Sequence, residues 1–133
     1  MERIFTLSDG RLVKVSAKNR RTSTIWSDTH YAYTITVTCG NDSYKTTFHD
    51  SPMNYNHGVK VTMGMLDDAL YCLLSDYDAY DSNPTYRDFA ISFGYEDEKE
   101  GMKAYKTCKA AYDGLSAMFS RSDLSELNSM VNV

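Results

Sequence analysis

A chain of 133 residues with 42% hydrophobic content, eleven Tyr, five Phe and one Trp has enough apolar surface to offset the entropy of ordering itself, which excludes a disordered segment and favours one core over two marginal ones. Its net charge of −4 is unevenly spread: residues 1–65 hold eight Lys/Arg against five Asp/Glu, residues 66–101 two against ten, and residues 102–133 four against three. Three widely spaced cysteines exclude a disulfide scaffold, the first residues show no apolar leader core, and no apolar run approaches the roughly 20 residues that span a bilayer, so a cytoplasmic protein with no membrane partner is expected.

The first half reads as strands. Arg3 to Leu7 and Arg11 to Val15 are β-prone runs around Ser8-Asp9-Gly10, and an Asp-Gly turn between such runs predicts a hairpin. Ala17 to Thr24 is polar and basic, either a loop or an extension of the second strand. Tyr31 to Thr38 alternates Tyr, Tyr, Ile and Val with Ala and Thr, the period-2 pattern of a strand with one buried face. Cys39-Gly40-Asn41-Asp42 turns the chain into a fourth strand, Ser43 to Phe48. The expectation is an antiparallel four-stranded sheet, then a surface connection over residues 51–64 rich in turn formers.

From about Met65 the period changes to 3.6. Leu66, Ala69, Leu70, Leu73, Leu74 and Tyr77 form the apolar stripe of a helix, with Thr62 as its N-cap and Asp67 and Asp68 placed near its positive end. Ser82-Asn83-Pro84 supplies an N-cap followed by proline for a short helix whose stripe is Tyr86, Phe89, Ala90 and Phe93, closed by Gly94. A longer helix is predicted from Asp97 to Phe119, weakened by Gly101 and Gly114 at about 1 kcal/mol each relative to Ala. Ser122 caps a last helix carrying Leu124, Leu127, Met130 and Val131. The fold class is therefore α+β in a single domain over 1–133, with a β region at 1–50 and a helical region at 65–131 covering one sheet face.

The stretches Asp68 to Asp76, Tyr86 to Phe89, Phe93 to Asp97 and Ala104 to Lys109 together resemble a family of small proteins from phages and other bacterial mobile elements, which pair an N-terminal strand region with such a helical half. The resemblance covers about residues 66–110, and its motifs look like packing and capping signals. Tyr77 stands where that family usually has alanine, and Glu98-Lys99-Glu100-Gly101 departs from its usual Asp-Ser-Arg-Lys run, which makes this copy more acidic. The resemblance implies an accessory protein that inhibits a host defence, of the anti-CRISPR or anti-restriction kind. Its partner would then be a host protein or ribonucleoprotein complex, such as a CRISPR-Cas effector.

Catalytic signatures are not found. The chain has no Gly-rich phosphate loop, GxSxG or HExxH, and His30, His49 and His57 lack local metal-ligand spacing. Asp76 to Asp81 fails the calcium-loop pattern for want of a Gly at its sixth position and a distal Glu. Cys72 and Cys108 fall on apolar helix faces and read as small core residues. A non-enzyme with no cofactor and no metal is expected.

Two surfaces remain as candidate binding sites. One is acidic and tyrosine-rich: Asp76, Tyr77, Asp78, Tyr80, Asp81, Tyr95, Glu96, Asp97, Glu98 and Glu100, with Asp67, Asp68, Tyr86 and Asp88 beside them. Carboxylates placed so would pair with the Lys and Arg of a basic nucleic-acid-binding surface and block it. The other is basic: Lys14, Lys18, Arg20 and Arg21 with Trp26 nearby, suited to phosphate contact and base stacking. Nucleic-acid binding through Lys18 to Arg21 is the alternative function. Free sheet edges and the surplus of tyrosines permit a homodimer.

Overall fold

A computed structural model describes residues 1–25, 28–49 and 60–131 of the chain. Four strands, β1 (Glu2–Thr6), β2 (Leu12–Ile25), β3 (Asp28–Cys39) and β4 (Asp42–His49), precede four helices, α1 (Met63–Ser82), α2 (Tyr86–Phe93), α3 (Glu98–Ser116) and α4 (Arg121–Val131). The strands lie in the order β1-β2-β3-β4, every neighbouring pair antiparallel. This is the α+β arrangement that the change of period predicts.

The stretch after Ala17, loop or strand by sequence, continues β2: its register with β3 runs from Val13↔Cys39 to Ile25↔Asp28, with a shift between Arg21 and Ser23. Gly10 and Gly40 sit at the β1–β2 and β3–β4 turns with φ of 93° and 62°, values that cost any residue with a Cβ. The β1–β2 turn is also tied to α4. Arg11 bridges the Asp9 and Asp123 carboxylates at 2.7 Å each, and the Ser8 backbone N–H donates to Glu126 Oε1 at 2.8 Å. Arg11 holds both aspartates below the usual carboxylate range.

One face of the sheet presents Phe5, Val13, Val15, Ala17, Tyr33, Ile35 and Val37, all buried, to the helices. Against them α1 sets Leu66, Ala69, Leu70 and Leu73, and Leu115, Leu124 and Leu127 of α3 and α4 complete one core. Each fully buried Leu contributes about 1.5–3 kcal/mol relative to exposure. Arg3 of β1 pairs with Asp67 at the edge of this interface. Asp67 therefore lies in the second turn of α1 and pairs with a cation, and no acidic residue occupies the first turn as the sequence suggested.

Capping differs from expectation in three places. Thr62 does cap α1, accepting from the Met65 N–H at 3.2 Å, but α2 is capped by Thr85, not by Ser82 or Asn83. Asn83 instead closes α1: its backbone N–H donates to Tyr80 O and its side-chain amide to Ala79 O. The long helix stops at Ser116 rather than Phe119, because the Met118 and Phe119 N–H groups both turn back to Leu115 O. Ser120 rather than Ser122 then begins α4, exchanging side-chain-to-backbone hydrogen bonds with Asp123 at 3.0 and 3.1 Å in a capping box.

Gly101 and Gly114 are places of close approach rather than mere weak points of α3. A Cβ at Gly101 would meet the Tyr86 hydroxyl at 2.6 Å and Tyr95 Cβ at 3.0 Å, and one at Gly114 would lie 2.7 Å from Tyr44 Cγ and nearer still to two other ring carbons.

Candidate functional site

The acidic, tyrosine-rich group read from the sequence divides in space. Tyr77 is 4% exposed, so it belongs to the core and not to a docking surface. It stacks on Tyr112 at 5.1 Å, Tyr112 meets Tyr80 at 5.0 Å, and Tyr80 and Tyr86 both flank Tyr105. Tyr105 Oη donates to Pro84 O at 2.6 Å. These rings join α1 to α3 and to the start of α2, each pair worth about 0.5–1.5 kcal/mol beyond its buried area. The period-3.6 spacing of Tyr77, Tyr80, Tyr105 and Tyr112 on facing helices is the signal for that internal role.

The carboxylates divide likewise. Asp81 is engaged by Arg121 at 2.7 Å. Asp97 is the N-cap of α3, its side chain accepting from the Lys99 N–H at 2.9 Å. Asp76 is mostly sunk between α1 and α3, where burial pushes its carboxyl above the usual range and the Cys108 thiol donates to it at 3.8 Å. Asp78 and Asp68 are exposed on α1. Asp88, Glu96, Glu98 and Glu100 remain exposed around the α2–α3 junction, and none makes an ion pair among the described residues.

Residues the sequence assigned to the core appear at that same junction. The predicted stripe of α2 buries only Phe89; Phe93 is 52% exposed, and Ile91 and Tyr95 beside it are 70% and 38% exposed. Phe93 lies one turn after Phe89 on the same stripe and packs on its ring at 4.8 Å, but as the last residue of α2 it is only half covered, whereas Ile91 projects from the other side of the helix. Gly94, at φ 71°, reverses the chain there and sets the Tyr95 ring parallel to Phe89 at 6.0 Å.

Between α1, α2 and α3 these side chains enclose an open groove of about 470 Å³. Phe89, Phe93 and Tyr95 form one wall, Asp76 and Cys108 the floor, and Glu100 and Lys103 part of the rim. No Lys or Arg of the described residues pairs with Asp76. Burial pushes the Cys108 thiol up to about 12, so this sulfur is a weak donor rather than a nucleophile. The groove needs three elements to converge, and no local spacing announces it.

The basic candidates lie on the other side of the molecule. Lys14, Lys18 and Arg20 fall on the sheet face turned away from the helices, and Lys45 of β4 joins them through the register Ser16↔Thr36↔Lys45. Around them are Thr34, Thr36, Thr38, Ser43 and Thr47. Arg21 pairs in register with Tyr31 and so takes the opposite face from Arg20, which separates two residues that the sequence grouped. Trp26 lies outside the described residues, as does His57, and the side chains of His30 and His49 are likewise outside them. Lys14 pairs with Glu2 at 3.1 Å.

Among the described residues no three His, Cys, Asp or Glu side chains gather as a metal site, and no helix is long and apolar enough to cross a membrane. Comparison with protein-family models, with curated proteins and with solved structures finds no match to this chain.

Proposed function

We propose that this chain is a binding protein without catalytic activity, and that it covers a basic surface of another macromolecule with the α2–α3 end of its helical layer. One observation carries the reading: Phe93 and Tyr95 are exposed together against the Phe89 ring, with the exposed carboxylates of Glu96, Glu98 and Glu100 following them along the chain and Asp88 on the preceding turn of α2, none of them in an ion pair among the described residues. Apolar anchors inside a charged rim are the composition of a docking patch, the anchors supplying affinity and the rim supplying approach and register. The resemblance of residues 66–110 to phage and mobile-element proteins supports a partner in a host defence complex, such as a CRISPR-Cas effector, whose nucleic-acid site would be blocked stoichiometrically. Capture of the partner from host lysate by the wild-type chain, lost with Asp88→Lys, Glu96→Lys and Glu98→Lys together while far-ultraviolet circular dichroism shows the fold kept, tests the reading; the lysines in the first turns of α2 and α3 should lower stability by about 0.3–1 kcal/mol each. Equal capture by the reversed variant refutes it. Asp97 is kept out of that variant because its cap is needed by α3.

A second reading has its own observation. Lys14, Lys18, Arg20 and Lys45 share one open, hydroxyl-rich sheet face with a single acidic neighbour on β1, Glu2, a pattern suited to a phosphate backbone. Labelled single-stranded DNA or RNA should then bind with a steep salt dependence, and Lys18→Glu with Arg20→Glu and Lys45→Glu should abolish it. Retention of binding in that variant removes this reading.

A further inference from the structure

The groove between α1, α2 and α3 has a chemistry more specific than that of the surface around it. We infer that it is a pocket for one arginine side chain of the partner, with the aliphatic stem against Phe93 and Tyr95 and the guanidinium on the Asp76 carboxylate. This deepens the helical-face reading above and rests on it.

Three features support that occupant. The wall is aromatic on one side only: Phe89 and Tyr95 lie parallel at 6.0 Å, and Phe93 packs on Phe89 at 4.8 Å, leaving ring faces and edges toward the opening. Such surfaces take a methylene stem and attract a cation placed over a ring. The floor ends in a carboxylate whose one hydrogen bond among the described residues is the weak one from the Cys108 thiol at 3.8 Å, which leaves most of its acceptor capacity unused by them. The opening carries Glu100 and Lys103, with Glu96, Glu98 and Lys99 in the adjoining turn, so carboxylates outnumber lysines there and the field at the entrance tips toward a cation.

Shape selects among cations: a planar guanidinium can stack on a ring while donating a fork of hydrogen bonds to a carboxylate, which a point-charge ammonium cannot do. Lys103 lines the same groove and makes no ion pair with Asp76 among the described residues. An anionic or purely apolar occupant would leave the Asp76 carboxylate buried without a partner, which is costly.

The test uses the full chain, uniformly ¹⁵N-labelled, titrated with Nα-acetyl-arginine methylamide and, in parallel, with the citrulline analogue, which has the same shape without the charge. Saturable amide shifts confined to the stretches around Asp76, Phe93 and Lys103 to Cys108 are expected, with Kd on the order of 1–10 mM for so small a ligand. The citrulline analogue and the Asp76→Asn variant should each bind at least about tenfold more weakly. Asp76→Asn is isosteric, and its ¹⁵N spectrum without probe reports whether the fold is intact; should it fail to fold, Phe93→Ala, on an exposed ring, takes its place with the same expected loss. Shifts elsewhere, absence of saturation, or equal binding of arginine and citrulline analogues overturns the pocket. The helical-face reading would survive that result, because it is tested by charge reversal at Asp88, Glu96 and Glu98, none of which lines the groove.

Discussion

Replacing Gly114 by alanine puts two effects of opposite sign on one atom. In the last turn of α3 (Glu98–Ser116) the added methyl raises helix propensity by up to about 1 kcal/mol. Its Cβ, however, would lie 2.7 Å from Tyr44 Cγ, so the ring must withdraw by about 1 Å or more to reach ordinary carbon–carbon contact. Overpacking of that kind costs about 1–3 kcal/mol. The wild-type background should therefore show Gly114→Ala as neutral to destabilising by about 2 kcal/mol. In a Tyr44→Ala background the obstruction is gone, and the same substitution should stabilise by about 1 kcal/mol, a shift of roughly 4 °C for a chain of this size. Urea unfolding followed by far-ultraviolet circular dichroism on the four proteins of the cycle measures the coupling directly, with 1–3 kcal/mol expected. Equal stabilisation by Gly114→Ala in both backgrounds would refute the packing of α3 on β4 through this ring.

The clamp between the β1–β2 turn and α4 gives a pH dependence. Arg11 keeps the Asp9 and Asp123 carboxyls below their unfolded value of 3.8, so their stabilisation is present above that pH and is lost as the pH falls through the lowered values. Acid unfolding of Arg11→Ala should thus show a shallower loss below about pH 4 than wild type; Asp76, raised by burial, acts in the opposite sense in both proteins and cancels in the comparison. Asp97→Ala should lower stability by about 1 kcal/mol through the lost cap, measured by thermal melting, whereas Glu96→Ala, exposed and between the helices, should change it by less than about 0.5 kcal/mol. Mass-spectrometric timing of iodoacetamide labelling at pH 8 should find Cys108 modified more slowly than Cys72, since Cys108 is the more buried thiol. Leu70→Ala, at a fully buried position of α1, should cost about 2–5 kcal/mol by urea unfolding.

The strands and α1 were readable because their signals are local. Asp9-Gly10 marks one turn, the alternation of Tyr33, Ile35 and Val37 marks a buried face, and the 3.6 spacing from Leu66 to Tyr77 marks a helix that the sheet then covers. The cap of α2 was not, because Ser82, Asn83 and Thr85 all can cap and only the tertiary contacts choose: Asn83 is taken by the end of α1 and by the Ser92 hydroxyl at 2.8 Å. The site was half legible. Glu96, Glu98 and Glu100 do lie on an exposed acidic end, but Tyr77 and Tyr80 are absorbed by a tyrosine stack that faces α3, and Phe93 keeps the predicted stripe yet stays half exposed because α2 ends there. Asp76 was named as a surface residue; only the convergence of three helices makes it the floor of a groove.

In the β1-β2-β3-β4 order every ladder joins segments adjacent along the chain. The sheet can therefore zip up turn by turn, each hairpin closing a loop of only a few residues, with little entropy lost before the first pairings repay it. The topology thus predicts that the slow event in refolding is the docking of Leu66, Leu70 and Leu73 of α1 on the sheet. Substitutions on that helix face should slow refolding, while those in the outward rows of β2 and β3 should leave its rate almost untouched.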